Sequence, residues 1–168
     1  ALTIGCNTDQ AKVSPSGEPG PVKGGVYRRA FADSYIVLDP VLIKDSNSHE
    51  VCRQIYDGLV EFDDQARVVP AVASSWKISE DKLTYTFTLR DDVHFHATAG
   101  GRPTRNGGRV LDADDVVFSF KRLLQPREDS QASFFWVIKG AREFTEGKAS
   151  AINGLRSLAS NTVEFVLE

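Results

Sequence analysis

The chain has 168 residues, 41% hydrophobic and 26% charged, a balance that supports one ordinary domain with a core and excludes wholesale disorder. Its 20 basic and 23 acidic side chains leave a formal charge of −3, which gives no electrostatic case for nucleic acid. No run of about 18 apolar residues exists to cross a membrane.

The opening "ALTIGC" is a short apolar run ending in Gly-Cys, followed at once by polar residues. It resembles the tail of a bacterial lipoprotein signal, with Cys6 as the lipid attachment residue and Ala1–Gly5 as signal remnant. Thr3 stands where leucine is usual, and the competing reading is an incidental thiol near a terminus. The next stretch, "NTDQAKVSPSGEPGPVKGG", has the Pro, Gly, Ser and charge content of a flexible tether. Residues 1–23 are therefore expected to be leader and tether, and 24–168 the folded portion. The second cysteine, Cys52, is far away in an unlike setting, and neither belongs to a C-x-x-C pair. A Cys6–Cys52 disulfide, which needs two ordered and closely placed Cβ atoms, is not expected.

Order is expected to begin with "GVYRRAF", a strand-like run, and Pro40 turns the chain after "IVLD". Val51, Cys52, Ile55, Tyr56 and Leu59 recur at helical spacing, and Ser48 is the expected N-cap. "LVEFDDQARVVP" reads as extended with a turn at Asp63–Gln65. "KLTYTFTLR" alternates cleanly: Leu83, Tyr85, Phe87 and Leu89 face one way, threonines and Arg90 the other. "VHFH" continues the strand habit. Asp112 and Asp115 have the spacing of a capping box, and Val116, Val117, Phe120, Leu123 and Leu124 form a helical stripe stopped by Pro126. "SFFWVIKGAREFTEG" is a second helical or irregular apolar piece. "NTVEFVLE" ends the chain on a strand, as expected of a fragment, and an unpaired edge at Val163–Leu167 would favour self-association.

The stretch that looks most chemical is "HFHATAGGRPTRNGGR". His94 and His96 share a face, but a transition metal wants three or four ligands, and His49 is far off in sequence. They read as solvent-facing strand histidines. The glycines match neither phosphate-binding pattern, and the following helix opens with Asp112, Asp114 and Asp115 where an anion would sit. No G-x-S-x-G, H-E-x-x-H or Cys–His spacing is present, and the acid pairs suit turns and helix starts. No cofactor, metal site or catalytic residue is expected.

In order along the chain come "LDP", "EVCRQIYDGLVEFDDQARVVPAVASSWKIS", "LTYTFTLRDDVHFH" and "NGGRVLDADDVVFSFKRLL". Together they resemble the N-terminal part of the bacterial extracellular solute-binding proteins of family 5, the oligopeptide-, dipeptide- and nickel-binding group. Pro70, Ala73, Ser75 and Trp76 fill that family's "P-x-L-A-x-S-W", and Thr84–Phe87 with Leu89–Arg90 fill "T-Y-T-F-x-L-R". Phe95–His96 and Asn106–Gly107 are the halves of its "F-H-D-G" turn, so Ala97–Arg105 is an insertion of about nine residues, of the kind surface turns accept.

The resemblance implies an α/β fold, mixed α+β over this length. That is the opening of the first lobe of a type II periplasmic-binding-protein architecture, with its additional β-rich subdomain. It implies a non-enzymatic, exported component of an ABC importer. Such a component captures peptides between two lobes and delivers them to an inner-membrane permease, in the periplasm or cell envelope. A nickel or other small-solute binder, or a secreted module without transport, are the alternatives. Peptide-binding relatives pair the backbone of the segment after "L-D-P" with their ligand, which places Lys44, Asp45 and Ser46 as candidates. The competing reading of "VLIKDSNS" is a plain surface loop. A second family contact falls near "SQASFF", at Ala132 with Phe134 close by, where some relatives carry an aromatic.

Overall fold

The computed structural model describes Val26 and residues 28–31, 35–127 and 131–168, without the side chain of Gln131. The tether and Cys6 lie outside the described residues. The chain divides into two units, Ala1–Ser34 and Tyr35–Glu168. In the first, the Arg29 guanidinium stacks 5.5 Å from the centre of the Phe31 ring, and the strand expected there is not formed by Val26 or by residues 28–31.

The second unit opens with a 3-10 turn at Pro40–Leu42 and α1 at Ser46–Cys52. A hairpin of β1 (Val60–Phe62) and β2 (Val68–Pro70) follows, then β3 (Ala73–Ile78), β4 (Thr84–Leu89), and a small hairpin of β5 (Thr98–Ala99) and β6 (Arg102–Pro103). The long helix α2 (Ala113–Leu124), a 3-10 helix (Gln131–Phe135), α3 (Ala141–Thr145), β7 (Leu155–Ala159) and β8 (Thr162–Val166) complete it.

The period-2 pattern builds the main sheet, four antiparallel strands in the order β3-β4-β8-β7. Tyr85 pairs with Phe165 and Phe87 with Val163, so the apolar face of β4 continues across β8. The opposite face is polar, with Thr86 opposite Glu164 and an Arg156–Glu164 pair at 2.5 Å. On the apolar face α2 contributes Val116, Phe120 and Leu124 to a core that also holds Leu89, Ile138, Leu155, Val163 and Phe165.

Both ends of α2 follow the sequence. The Asp112 carboxylate accepts the Asp115 N–H at 3.1 Å, and Asp115 Oδ2 accepts the Asp112 N–H at 3.0 Å, a reciprocal capping box. The helix stops at Leu124, two residues before Pro126. At the turn between β1 and β2, Asp63 Oδ1 accepts the backbone N–H groups of Gln65 and Arg67, both at 2.9 Å.

Four expectations need correction. Helix α1 ends at Cys52, with Ile55 and Tyr56 half-exposed beyond it, so the apolar spacing outruns the helix. Its N-cap is Asp45, not Ser48, whose hydroxyl is buried and bound elsewhere. "VHFH" forms no strand; a single bridge joins His94 to Val110. The terminal strand is not an edge, because β8 has β4 on one side and β7 on the other. The insertion at 97–105 folds as the β5–β6 hairpin, turned by Gly100 and Gly101 at φ 57° and 74°, as a two-residue turn with left-handed residues requires.

Gly154 is required by close approach. Its N–H donates to Lys139 O at 2.8 Å and its carbonyl accepts from Val166 N at 2.7 Å. A Cβ there would run into the Val166 carbonyl oxygen and stand 2.8 Å from Lys139 N. Two substitutions therefore weaken the fold by different routes. Leu124→Ala, at a fully buried position, is expected to lower unfolding stability by about 2–5 kcal/mol through an unfilled cavity. Gly154→Ala is expected to destabilise by displacing the end of β8. Urea denaturation of the protein carrying each change measures both, and unchanged midpoints would contradict this packing.

Candidate functional site

Residues 35–39 are tied to both α1 and α2. The Val37 N–H donates to the buried Ser48 Oγ at 2.9 Å, and the Cys52 thiol donates to Val37 O at 3.5 Å. The Tyr56 hydroxyl donates to Leu38 O at 3.1 Å. Asp39 then receives both terminal nitrogens of Arg122 on α2, at 2.7 and 2.5 Å, across 83 residues of sequence. The same carboxylate accepts the Val41 N–H at 3.2 Å and so starts the 3-10 turn. Hydrogen bonding from Arg122 holds the Asp39 carboxyl down at about 2, against an opposing effect of burial and with help from the Val41 amide. Burial pushes the Cys52 thiol up, with Asp39 and Asp45 adding to it, and the side chain is buried.

This pinning leaves a groove of about 1340 Å³ along α1, α2 and the 3-10 helix Gln131–Phe135. Lys44, Asp45 and Ser46 line it, and so does Phe134, which is 75% exposed. Asp45 is committed to its helix: its Oδ1 accepts the Ser48 N–H at 2.7 Å, a bond that also holds its carboxyl below the usual range. Ala132 is not brought to the groove. It is 1% exposed and packs in the core, one turn from the ring that does reach the surface.

Residues missed in the sequence complete the walls: Tyr56, Phe118, Phe120 and Arg122. Phe118 sits on the outward side of α2, which its place off the apolar stripe could have indicated. The partnership of Arg122 with Asp39 had no local signal.

A second, more apolar cavity of about 800 Å³ lies against the sheet, lined by Tyr85, Phe87, Phe120 and Phe165 among others, with His94 and His96 at its polar part. His94 Nδ1 is 2.9 Å from Gly108 O. His49 lines the groove instead, so the three histidines are not brought together. Among the described residues no three His, Cys, Asp or Glu side chains gather as a ligand set.

The acid limb of the stability curve should report the Asp39–Arg122 pair. Its carboxyl sits lower folded than unfolded, so its contribution is full above about pH 4 and is lost as pH falls towards 2. For a partly solvated pair this is about 1 kcal/mol. Asp39→Asn is expected to lower stability at pH 7 and to flatten the curve between pH 4 and 2. Chemical denaturation at several pH values measures it; equal acid sensitivity in both proteins would contradict the assignment.

Known proteins resemble this chain in sequence and fold. The family model for bacterial extracellular solute-binding proteins, family 5 Middle, matches residues 67–168. The peptide transport periplasmic protein SapA of Salmonella typhimurium is 38% identical over 174 aligned residues, covering 99% of this chain and 28% of that protein. Heme-binding protein A of Haemophilus influenzae is 47% identical over 91 residues, 53% of this chain and 16% of its own length. The structure of Listeria monocytogenes OppA bound to peptide superposes with a TM-score of 0.67 at 26% identity, over 77% of this chain and 24% of that one. The chain thus spans between 12% and 28% of the length of the curated relatives it matches. The mixed α/β fold is that of part of these binding proteins, and the chain belongs to the family 5 bacterial extracellular solute-binding proteins.

Proposed function

We propose that this chain is part of the substrate-binding component of an ABC importer, which captures peptides and passes them to a membrane permease without chemical change. The observation that carries this reading is the groove beside α1. The segment leading into it is fixed by hydrogen bonds at Val37, Leu38 and Asp39, and Ile43 is extended at φ −68° and ψ 131°. A pre-set extended backbone at a groove can pair with a peptide through groups that every residue offers, which suits a binder of varied sequences. Lys44, Asp45, Ser46 and Phe134 are the proposed contacts; Ala132 would act only by backing the segment that carries Phe134. A relative of the same fold was solved bound to peptide, and SapA is named for peptide transport.

The family setting supports export to the periplasm or cell envelope, and we place the lipid tether, if processed, at Cys6. Residues 1–23 would then be leader and tether, and 24–168 part of the first lobe. A second reading, a non-peptide solute, is favoured by one observation: a 47% identical relative is a heme-binding protein.

Thermal shift of the full-length protein separates these. A peptide mixture at about 100 times its Kd should stabilise by about 2.7 kcal/mol and raise Tm. No response to peptides alongside a clear rise with haem or nickel would overturn the peptide reading.

A further inference from the structure

The sequence contains two Asn-Gly pairs, Asn106–Gly107 and Asn153–Gly154, and the fold holds them in opposite ways. In such a pair the glycine nitrogen can attack the asparagine side chain, because no Cβ on the glycine obstructs the approach. The attack needs a backbone free to turn the two atoms together and a nitrogen free of its hydrogen bond. Both asparagines are exposed, so access of water to the side chain does not separate them. The nitrogen that follows each one does.

Gly154 is buried, and its nitrogen is part of a non-local backbone network. Its N–H donates to Lys139 O at 2.8 Å, the Lys139 N–H donates to Val166 O at 2.9 Å, and the Val166 N–H returns to Gly154 O at 2.7 Å. Freeing that nitrogen means parting the chain from Lys139 and from the end of β8. Gly107 is exposed, and its N–H donates only within its own turn, to Thr104 O at 3.2 Å and Thr104 Oγ1 at 3.3 Å. A Cβ built on Gly107 would meet nothing within 4 Å, so no described part of the protein lies over the attacking atom. This turn can open without disturbing the core, at the low end of the range of local opening energies, whereas release at Gly154 lies near global unfolding.

We infer that Asn106 is a site of spontaneous deamidation, with water as the sole co-reactant, and that the fold protects Asn153 from the same reaction. The Gly107 nitrogen gives its proton to solvent and bonds to Asn106 Cγ. The Cγ–Nδ2 bond breaks, and the side-chain nitrogen takes up a proton and leaves as ammonia. Water then opens the five-membered imide at either carbonyl, giving aspartate or isoaspartate, and nothing is oxidised or reduced. Both products place a negative charge next to Arg105 in the chain. The isoaspartate also adds a methylene to the main chain inside the turn that the Arg109 N–H closes on Asn106 O at 3.1 Å.

The test is peptide mapping by mass spectrometry of the full-length protein, incubated in mildly alkaline buffer made with water enriched in heavy oxygen. The isotope marks each imide opened during the incubation. In the native protein Asn106 is expected to convert at least about tenfold faster than Asn153, as the gap between local and global opening allows. In concentrated urea the two rates should converge, because both are then Asn-Gly pairs in an open chain. Native protein with no labelling at Asn106, or with Asn153 labelled as fast, overturns the proposal. A ratio that persists in urea overturns it too, since local sequence and not the fold would then set the difference. Both sites are read in one wild-type molecule, so no variant has to fold.

Discussion

Edge-to-face ring contacts join the three layers of the folded unit. Phe87 on β4 meets Phe165 on β8 at 5.7 Å, Phe165 meets Phe120 on α2 at 4.9 Å, and Phe120 meets Phe135 at 5.5 Å. Each such contact adds about 0.5–1.5 kcal/mol to the burial of the rings. More than their energy, they fix where α2 stands on the sheet and where the 3-10 helix stands on α2. Once α2 is placed, Arg122 in its last turn can reach only what lies beside it, and Asp39 lies there. The groove is thus a consequence of the core, transmitted through one helix.

Polar bonds then set the groove's detail. Residues 35–39 contribute no buried apolar side chain to the core, and they are held by single hydrogen bonds to Ser48, Cys52 and Tyr56 and by the paired bonds to Arg122. This arrangement suits a binding edge. The backbone is fixed before any ligand arrives, while most wall side chains remain exposed. A similar device anchors the other end of α2, where Arg109 Nη1 reaches Asp115 Oδ2 at 2.7 Å and the guanidinium lies 4.8 Å from the centre of the Phe95 ring. The β5–β6 hairpin itself is exposed, and the glycines of "GGRPTRNGGR" serve its turns, with left-handed φ at Gly100, Gly101, Gly107 and Gly108.

What was legible in the sequence is what local chemistry decides. The Tyr85–Phe87–Leu89 alternation, the Asp112–Asp115 capping box, the Asp63 turn and the stop before Pro126 each depend on neighbours a few residues away. The family's motif order was legible too, because it is a property of the chain. Non-local pairing was not. Strand β8 reads as a terminal edge, yet it lies inside the sheet because β7, its neighbour by a tight turn, covers its outer side. Ser48 looks like a cap because of its residue type, but the Val37 amide claims its hydroxyl and Asp45 takes the capping role. For the candidate site, a helix following Lys44 was readable, although it starts at Ser46 with Asp45 as its cap and not at Ser48. The opposing wall of Phe118 and Phe134, and the 83-residue bond from Asp39 to Arg122, exist only after folding.

The groove between α1 and α2 is the proposed seat of the ligand. Photo-crosslinking tests it most directly: the full-length protein is irradiated with a short peptide carrying benzoylphenylalanine at its C-terminus, and the adducts are mapped by mass spectrometry. Adducts within residues 43–57 and 118–135, competed away by unlabelled peptide, are the predicted result. Competable adducts confined to other parts of the protein would contradict it.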